Sequence, residues 1–508
     1  MLTQESTQVI IVGAGPTGLA LACMLRHYKV DFVLIDKSKH SIQFSKAMVI
    51  HARSLEAFDE IGLAEEIISE GQAMERINIM TNGQVSEVVE LTEFGRGLTK
   101  FPYVLNIEQA KTEAILINYL KRHGLGINRG EELLTVDNGA DRVSVTCRDD
   151  QGRISTLTGH FLVGCDGARS TVRRQLGLSY EGKTEQKTFY VADVRIQSEL
   201  INKKEGYINL TANGFVLLFG LEGQQHYRII GVMPDKLERK AGTEFADLRE
   251  NIKKQLKTPV EFVEEMGFST YKVHRRMAEE FVTGRCFLAG DASRIHSPAG
   301  GLGLNSGIQD AYNLAWKLAF AVNGKGGTET LASYNQERKA VARQLLATSD
   351  LEFDFMTGEQ PWLGFLKLHV FPFFVKMLTT THLGNKQAFS TLAQLSIAYP
   401  ESPLTEPGRL GPISAGDRLP YFITAAGNSV FDDIRSSDYK LLWFGPATLL
   451  EQFDLGGVSQ PPVIFEELQD VFGGEFEFFV VLRPDNHIAY IGDDLDKVLE
   501  TLNVAVAK

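Results

Sequence analysis

The hydrophobic pattern at the start of the chain predicts a strand, a helix and a second strand. Apolar residues fill positions 9–12, a helical segment follows at 19–28, and a second apolar run covers 32–35. The turn before the helix reads Gly-Ala-Gly-Pro-Thr-Gly, and the second strand ends in Asp36. Strand, glycine turn, helix, strand and acid in this order predict a dinucleotide-binding unit, because the glycines let a pyrophosphate approach the backbone and the acid suits a ribose hydroxyl.

A second pattern of strand, loop and helix lies at residues 284–318. Four apolar residues at 286–289 are followed by Asp291 and by a loop rich in Gly, Ser and Pro. From Asn305 onward, apolar residues recur at helical spacing. An acid at a strand end, beside bare glycines and a helix N-terminus, indicates a place for the ribityl or phosphate groups of a ligand.

Between these regions the apolar residues alternate as they do in strands. Residues 131–146 and 155–163 predict paired strands, and the second run leads to the Asp-Gly pair at 166–167. Arg169 follows, so this strand end is another candidate for phosphate or ribose contact; the alternative is a helix cap with solvated arginines. Further strands are predicted at 189–196, 207–210, 214–221, 225–233 and 269–274, with a helix at 244–257.

The last third of the chain changes in texture. Residues 353–395 read as helical and rich in Phe, and we expect them to pack as core between domains; a membrane-facing or substrate-gating surface is the alternative. From about residue 400, Pro and Gly mark a linker. Beyond it, a small α/β unit is predicted, with strands at 439–444, 478–482 and 488–491 and helices at 464–472 and 495–502.

Composition narrows the class of protein. A chain of 508 residues with 44% hydrophobic and 23% charged residues fits a multidomain globular enzyme, and the net charge of −12 argues against nucleic-acid binding. The apolar segment 362–378 is interrupted by charged residues and Pro, so no membrane span is expected. Four scattered cysteines without CxxC or metal-type spacing favour a reduced, cytoplasmic chain with no metal site.

Three motifs together resemble the signatures of class A flavoprotein monooxygenases, the FAD-dependent aromatic hydroxylases typified by para-hydroxybenzoate hydroxylase. They are GAGPTG at 13–18, CDGARSTVR at 165–173 and the long stretch GDASRIHSPAGGLGLNSGIQDAYNLAWKL at 290–318. The third is similar to the version in phenol, pentachlorophenol and polyketide hydroxylases. Motifs at 416–420 and 482–489 resemble the C-terminal domain of the longer members.

The resemblance implies an α/β fold with three parts: a Rossmann-like FAD-binding domain, an inserted β-sheet substrate domain and a thioredoxin-like C-terminal domain. The expected boundaries are 1–180 and 281–400 for the FAD-binding domain with its helical segment, 181–280 for the substrate sheet, and 401–508 for the C-terminal domain. Because the tail lacks CxxC, we expect it to serve packing or homodimer formation and not redox chemistry.

The resemblance also implies the cofactor site, residue by residue. Lys46 departs from the pattern, since the family usually has Arg there, and a Lys would reach phosphate as a point charge. The implied FAD residues are Gly13, Gly15, Thr17 and Gly18 at the pyrophosphate, Asp36 and Lys37 at the adenosine ribose, Lys46 at a phosphate, Gln109 at the flavin side chain, Leu133 at the adenine, Asp166 and Arg169 at both FAD and the nicotinamide nucleotide, Asp291 at the ribityl and pyrophosphate groups, and Gly303, Leu304 and Asn305 along the isoalloxazine ring.

The implied reaction uses NADPH or NADH to reduce FAD, and a flavin C4a-hydroperoxide then transfers one oxygen atom from O₂ to a phenolic, aromatic or polyketide-like molecule. Apolar strands near 215–219 and the Phe-rich helices are the expected dry wall of the site. No catalytic residue is identified: His226, Tyr227 and His274 are candidates for a base by type alone, and each is better explained as a structural residue.

Two alternatives and two departures remain. A flavin-dependent halogenase shares the FAD fold, although its WxWxIP motif has no match around the three tryptophans. A non-catalytic FAD-binding protein is suggested by Arg294, which stands where a His is usual, and by Ser297, which replaces the first Pro of a pair. We expect Arg294 to be a surface substitution; contact with an anionic substrate or a nicotinamide phosphate is the alternative.

Overall fold

The structure is a computed structural model that describes residues 4–41, 47–92, 94–211, 214–238, 242–297, 301–358, 360–379, 382–455, 460–466, 470–473 and 477–506. Its strands are β1 (Gln4–Val12), β2 (Phe32–Asp36), β3 (Val49–Ile50), β4 (Gln72–Ala73), β5 (Arg76–Thr81), β6 (Gln84–Glu90), β7 (Leu105–Asn106), β8 (Asn128–Arg129), β9 (Glu132–Asn138), β10 (Val143–Arg148), β11 (Ile154–Gly164), β12 (Tyr180–Gln197), β13 (Glu205–Thr211), β14 (Gly214–Gly220), β15 (His226–Val232), β16 (Glu261–Ala278), β17 (Val282–Thr283), β18 (Cys286–Leu288), β19 (Arg294–Ile295), β20 (Arg409–Leu410), β21 (Ile413–Ser414), β22 (Lys440–Phe444), β23 (Val463–Phe465), β24 (Phe478–Leu482) and β25 (Ile488–Gly492).

The helices follow the same order along the chain. They are α1 (Pro16–His27), α2 (Ala52–Asp59), α3 (Ala64–Ser69), α4 (Gln109–Arg122), α5 (Thr171–Gln175), α6 (Asp235–Glu238), α7 (Phe245–Leu256), α8 (Leu302–Val322), α9 (Thr328–Thr357), α10 (Pro361–Phe365), α11 (Phe371–Thr379), α12 (His382–Leu392), α13 (Val430–Asp433), α14 (Ala447–Leu450) and α15 (Leu495–Val506). Short 3-10 turns lie at Gly290–Ala292 and Asp470–Phe472, and a π-helical turn lies at Leu366–Val370.

The first sheet carries the N-terminal βαβ unit. Strands β18, β11, β1, β2 and β8 run parallel in that spatial order, and the antiparallel pair β10 and β9 extends from β11. The apolar runs of β1, α1 and β18 are almost fully buried in one core, which α8 crosses. The parallel sheet with crossing helices confirms the predicted α/β class with a Rossmann-like FAD domain, and α1 begins at Pro16, three residues before the prediction.

The second sheet is mostly antiparallel, in the order β19-β16-β12-β15-β14-β13-β5-β6. Most of its strands come from the segment predicted as the substrate sheet, 181–280. Strands β5 and β6, from residues 76–90, complete one edge, and β13 pairs with β5 in parallel. Helix α7 packs on one face of this sheet, and α11 packs on the other face.

The Phe-rich helices only partly match the sequence prediction. Phe371 of α11 packs against the aromatic face of the second sheet, and Phe389 of α12 is buried against Phe94. In contrast, the Trp362, Phe365 and Phe373 side chains are 61%, 61% and 69% exposed. The expectation that this segment is core is therefore wrong for its outward face, because helical periodicity turns part of an apolar-rich segment to solvent.

The C-terminal unit holds a mixed four-stranded sheet in the order β23-β22-β24-β25, with α15 packed against β24 and β25. Its described strands agree with the sequence, with one exception. The predicted helix at 464–472 is wrong at its start, where residues 463–465 form β23 parallel to β22, whereas residues 470–472 form a 3-10 turn. A short apolar run does not distinguish a strand from a buried helix, and pairing with β22 decides the outcome.

The four cysteines are buried in separate places and form no disulfide. Burial raises the pKa of the Cys147 and Cys286 thiols to about 12. It raises that of Cys23 and Cys165 further still. All four thiols are therefore protonated at neutral pH.

Candidate functional site

The glycine turn between β1 and α1 is shaped for close backbone approach. Gly13 has φ +104°, and a Cβ there would clash with the backbone of Cys165. A Cβ on Gly18 would clash with Gly13 itself. Gly15 differs, since a Cβ there would have no atom of the described residues within 4 Å apart from its own chain neighbours. The open space lies over the N-terminus of α1, where unpaired N–H groups attract phosphate.

A cavity of about 190 Å³ adjoins this turn. Asp36 lies in its wall, where its Oδ2 accepts a hydrogen bond from the Ala14 N–H at 2.6 Å and its Oδ1 accepts one from Ser38 N–H at 2.7 Å. The exposed Lys37 lies beside it, and Leu133 lines the cavity although its side chain is buried. The cavity suits the adenosine end of a dinucleotide.

The Asp-Gly segment after β11 closes the same cavity. Asp166 Oδ2 accepts hydrogen bonds from the N–H groups of Thr171 and Val172 at 2.6 and 3.1 Å. Its other oxygen is buried and has no hydrogen-bond partner among the described residues. Asp166 therefore caps α5 with one oxygen and can accept a ligand hydroxyl with the other.

Arg173 joins this segment to the Asp291 loop. The side chain is buried, donates to the Ala292 carbonyl at 2.7 Å and to the Ala168 carbonyl at 2.9 Å, and lies over the Tyr180 ring at 3.6 Å. The Tyr180 hydroxyl in turn donates to the Asp291 carbonyl at 2.9 Å. Arg169, in contrast, is exposed and free to meet an anion from solvent.

The Asp291 loop also packs on the first glycine turn. Thr17 lies between two glycines, because a Cβ on Gly290 would be 2.5 Å from its hydroxyl oxygen and a Cβ on Gly307 would clash with the same atom. The Asp291 side chain is exposed, and the open space beside it is here called the cleft. The surrounding protein raises the pKa of this carboxyl, and Arg294 lowers it in part.

Arg294 is buried, and its charge is paired inside the protein. The expectation that Arg294 is a surface substitution is therefore wrong. The side chain is 2% exposed, and its guanidinium donates to Asp310 at 2.7 and 3.1 Å and to the Ser306 hydroxyl. Asp310 also accepts from the Gly290 N–H at 2.9 Å and from Arg338 at 2.6 Å. Burial raises the pKa of Asp310, but Arg294 and Arg338 outweigh it and hold that pKa below its usual value.

The start of α8 faces the same cleft. Gly301 precedes the helix with φ +66°, and a Cβ on Gly303 would lie 3.7 Å from the His296 ring. Asn305 donates to the carbonyls of Val49 and Gly301 at 2.9 Å and accepts from the His51 N–H at 2.8 Å. This amide holds the first turn of α8, including Leu304, against β3.

His296 was not singled out by the sequence. Its Nδ1 lies 2.9 Å from the Ser297 carbonyl, and since a carbonyl only accepts, Nδ1 carries the proton and Nε2 is the acceptor. Burial lowers the pKa of His296 to about 4, so the ring is neutral at pH 7. A neutral imidazole beside α8 avoids adding a second positive charge to the helix N-terminus.

The remaining predicted residues are Gln109 and Lys46. The Gln109 amide donates to Glu113 Oε1 at 2.7 Å, and its N–H donates to the Ala47 carbonyl at 3.2 Å. Glu113 lines the cavity, and burial raises its pKa. Lys46 falls outside the described residues.

The second sheet meets this region through a buried ion pair. Arg228 of β15 donates to both oxygens of Asp193 at 2.6 and 2.7 Å and to the Ala47 carbonyl at 3.1 Å. Beside it, the Phe189, Phe215 and Tyr271 rings form an aromatic surface with centroids about 6 Å apart. This surface packs against α11, which agrees with the dry wall expected there.

The candidate bases have structural contacts. The Tyr227 hydroxyl donates to the Ile201 carbonyl at 3.2 Å, and His274 Nδ1 lies 2.9 Å from the Thr184 hydroxyl on the exposed side of the sheet. His226 is buried with Nδ1 3.3 Å from the Glu222 carbonyl. These contacts leave the catalytic base unassigned.

The residues fit an FAD molecule. The space above Gly15, the unpartnered Asp166 oxygen, the cavity at Asp36 and the cleft at Asp291 lie along segments joined by Thr17 and Arg173. Pyrophosphate would meet the glycine turn, and ribose hydroxyls would meet Asp36. Ribityl hydroxyls would meet Asp291, and the ring would lie at the start of α8. The individual FAD contacts of these residues stay predictions.

This geometry defines a flavin-binding α/β protein. A family model described as "FAD binding domain" matches residues 6–349, which is more than half of the chain. The chain belongs to this family of FAD-dependent monooxygenases. Among the described residues, no cluster of His, Cys, Asp and Glu could hold a metal ion, and no helix in the described ranges is long and apolar enough to cross a membrane.

Two relatives and one solved structure show which proteins of this family the chain is similar to. The chain is 36% identical over 353 residues to 6-methylpretetramide 4-monooxygenase of Streptomyces rimosus, which covers 68% of this chain and 61% of that one. It is 30% identical to rifampicin monooxygenase of Rhodococcus hoagii, over 97% of this chain and 98% of that one. The structure of OxyS anhydrotetracycline hydroxylase from Streptomyces rimosus superposes with a TM-score of 0.75 at 26% identity, covering 99% of each chain.

Proposed function

We propose that this enzyme uses NADPH or NADH and O₂ to insert one oxygen atom into a large phenolic or polyketide-like aromatic molecule. The observation that carries the proposal is the joining of the glycine turn, the Asp166 segment and the Asp291 loop by contacts of Thr17 and Arg173. The relatives named above act on 6-methylpretetramide, rifampicin and anhydrotetracycline by their names, so a multi-ring phenol is the favoured substrate class.

Bound FAD would supply electron transfer from the nicotinamide and activation of oxygen. The chain's own residues bind and position it. The glycine turn and the N-terminus of α1 would hold the pyrophosphate, and Asp291 would accept a hydrogen bond from the ribityl chain. The first turn of α8 would hold the flavin ring, and the aromatic surface around Phe215 would help to keep water from the substrate.

One of the two departures that suggested a non-catalytic protein, Arg294, has another explanation. Arg294 forms an ion pair with Asp310 inside the protein. The replacement of the usual His by Arg294 is therefore explained by this ion pair and not by a loss of activity. A halogenase gains no support, because Trp316 and Trp443 are buried at the C-terminal unit and Trp362 is exposed on α10.

The test starts from the apoprotein reconstituted with FAD. NADPH and NADH oxidation is followed with a panel of simple phenols, tetracycline-type and ansamycin-type compounds, with mass spectrometry of the products. A compound that stimulates oxidation and gains one oxygen atom is the expected result. A colourless protein after reconstitution, or stimulated oxidation without any oxygenated product, would contradict the proposal. A homodimer and a cytoplasmic location stay predictions that light scattering and fractionation can test.

A further inference from the structure

The loop at residues 483–487, here called the tail loop, leaves the C-terminal sheet between β24 and β25 and is buried against α8 and α9. Its Arg483, Asp485 and His487 side chains are 0%, 1% and 3% exposed. We propose that the tail loop is a positioning element for the flavin site, so that FAD affinity depends on contacts made by the C-terminal unit. The proposal rests on FAD binding at the site described above.

Charged side chains of the tail loop bind residues of α9 and α8. Arg483 binds both oxygens of Glu337 at 2.6 and 3.0 Å and Asp485 at 2.6 Å. Lys317 of α8 shares Glu337 at 2.7 Å, and the Trp316 indole donates to Asp485 at 3.2 Å. Two helices are therefore bound to one loop by hydrogen bonds whose geometry allows little displacement.

The next residue of α9 carries the connection to the flavin site. Arg338 follows Glu337 in sequence and donates to Asp310 at 2.6 Å and to the Tyr399 hydroxyl at 2.9 Å. The Tyr399 ring packs on the His487 ring at a centroid distance of 4.4 Å. Asp310 holds the Gly290 N–H, and Gly290 directly precedes Asp291. Contacts thus run without a gap from the tail loop to the flavin-facing acid.

A second connection runs from the tail loop to α2. Arg53 of α2 donates to the Asp485 carbonyl at 2.8 Å and lies 3.4 Å from His487 Nδ1. Helix α2 begins directly after His51, whose N–H is held by Asn305 at the start of α8. The tail loop therefore touches both helices that begin at the cleft.

Position, and not only stability, is the expected role of these charges. Replacing a buried ion pair by apolar residues is often neutral or stabilising, so a large network of this kind is weak evidence for stability. What fully hydrogen-bonded charges do provide is one defined arrangement of the groups they join. Here the groups joined are the tail loop, Asp310 and the loop that carries Asp291.

The test compares conservative variants of the full chain. Arg483→Lys keeps the charge but loses the two-pronged contact, and Tyr399→Phe keeps the ring but loses the bond to Arg338. Both are titrated with FAD as apoproteins, and hydrogen exchange of residues 288–306 is measured without FAD. We expect the Kd for FAD to rise about 3- to 30-fold and exchange in this segment to quicken.

Asp432→Asn is the matched control. Its exposed pair with Lys100, at 3.1 Å, also joins the C-terminal unit to the first domain but lies outside the network. This variant should keep the FAD Kd within about twofold, since exposed pairs contribute little. Folded Arg483→Lys and Tyr399→Phe proteins with unchanged Kd and unchanged exchange would overturn the proposal. If both variants shift while no oxygenated product is ever found, the positioning role stands and the proposed reaction fails.

Discussion

The two acid-bearing loops of the flavin site, around Asp36 and Asp291, are held in different ways. Asp36 is fixed by the N–H groups of Ala14 and Ser38, which belong to the same βαβ unit. The Asp291 loop is fixed by Asp310, Arg338 and Arg173, which come from three other parts of the chain. The Asp36 loop of the proposed flavin site therefore depends on local sequence, and the Asp291 loop depends on the assembled fold.

The largest effect is expected when the long-range contacts that hold the Asp291 loop are removed. Asp310→Asn leaves the buried Arg294 and Arg338 without their anion, so we expect the free energy of unfolding to fall by about 3–5 kcal/mol. Urea unfolding at pH 7 measures it. Asp36→Asn is the local counterpart, and it keeps an acceptor for Ala14 at a half-exposed position, so its loss should stay near 1 kcal/mol. Equal losses in the two variants would contradict the comparison.

The second effect is a pH dependence at Glu337. Burial raises the pKa of this carboxyl, but Arg483 and Lys317 outweigh it and hold it at about 2, against an ordinary value of 4.5. Between those values the unfolded chain binds more protons than the folded one, so stability falls as pH falls from 4.5 towards 2, by about 2–3 kcal/mol. The stability contributed by the Glu337 carboxylate is fully present above pH 4.5.

Glu337→Gln isolates this contribution. The variant should be less stable than the wild type at pH 7, and the difference should shrink as the pH falls below 4.5, because the Glu337 carboxyl of the unfolded wild type then takes up a proton while that of the folded protein stays charged. Denaturant melts from pH 7 down to the lowest pH at which both proteins fold measure the difference. A gap that stays constant over this range would rule out the assigned pKa.

A smaller effect sharpens the local side. Gly13→Ala introduces a Cβ against the Cys165 backbone at a residue with φ +104°, so we expect a loss of about 1–3 kcal/mol in the free energy of unfolding of the apoprotein. Thermal and urea melts of the apoprotein check it. Wild-type stability in this variant would mean that the turn can relax away from the clash.

The smallest expected change in stability separates folding from cofactor binding. Gly15→Ala places its Cβ in open space, so the apoprotein should lose less than about 1 kcal/mol. The same methyl group would occupy the space assigned to pyrophosphate, so the FAD Kd should rise about tenfold or more. Fluorescence titration measures the Kd. An unchanged Kd would mean that the pyrophosphate does not bind beside Gly15.

The same contrast explains what the sequence could predict. The βαβ unit was predictable because its glycines, helix and acid are neighbours, and the observed bounds differ from the prediction by a few residues. The role of Arg294 was not predictable, because its partner Asp310 is one of several polar residues buried in α8 among apolar ones, and Arg338 lies in another helix. A buried charge looks like a surface charge until its partners are placed.

Other differences have the same origin. Strands β5 and β6 join the second sheet across a long chain separation, which strand periodicity cannot encode. The run at 463–465 becomes a strand because β22 accepts it as a neighbour. In the Phe-rich helices, the sequence predicts helix correctly but not which face meets the sheet, since that depends on where the sheet's aromatic surface lies.

The buried cysteines bear on how long such an enzyme survives its own chemistry. Oxygen activation without a bound substrate releases hydrogen peroxide, and peroxide oxidises the thiolate form of cysteine. Because burial keeps all four thiols protonated and away from solvent, this chain offers peroxide no reactive sulfhydryl group. Idle turnover should therefore leave the four thiols reduced over many catalytic cycles.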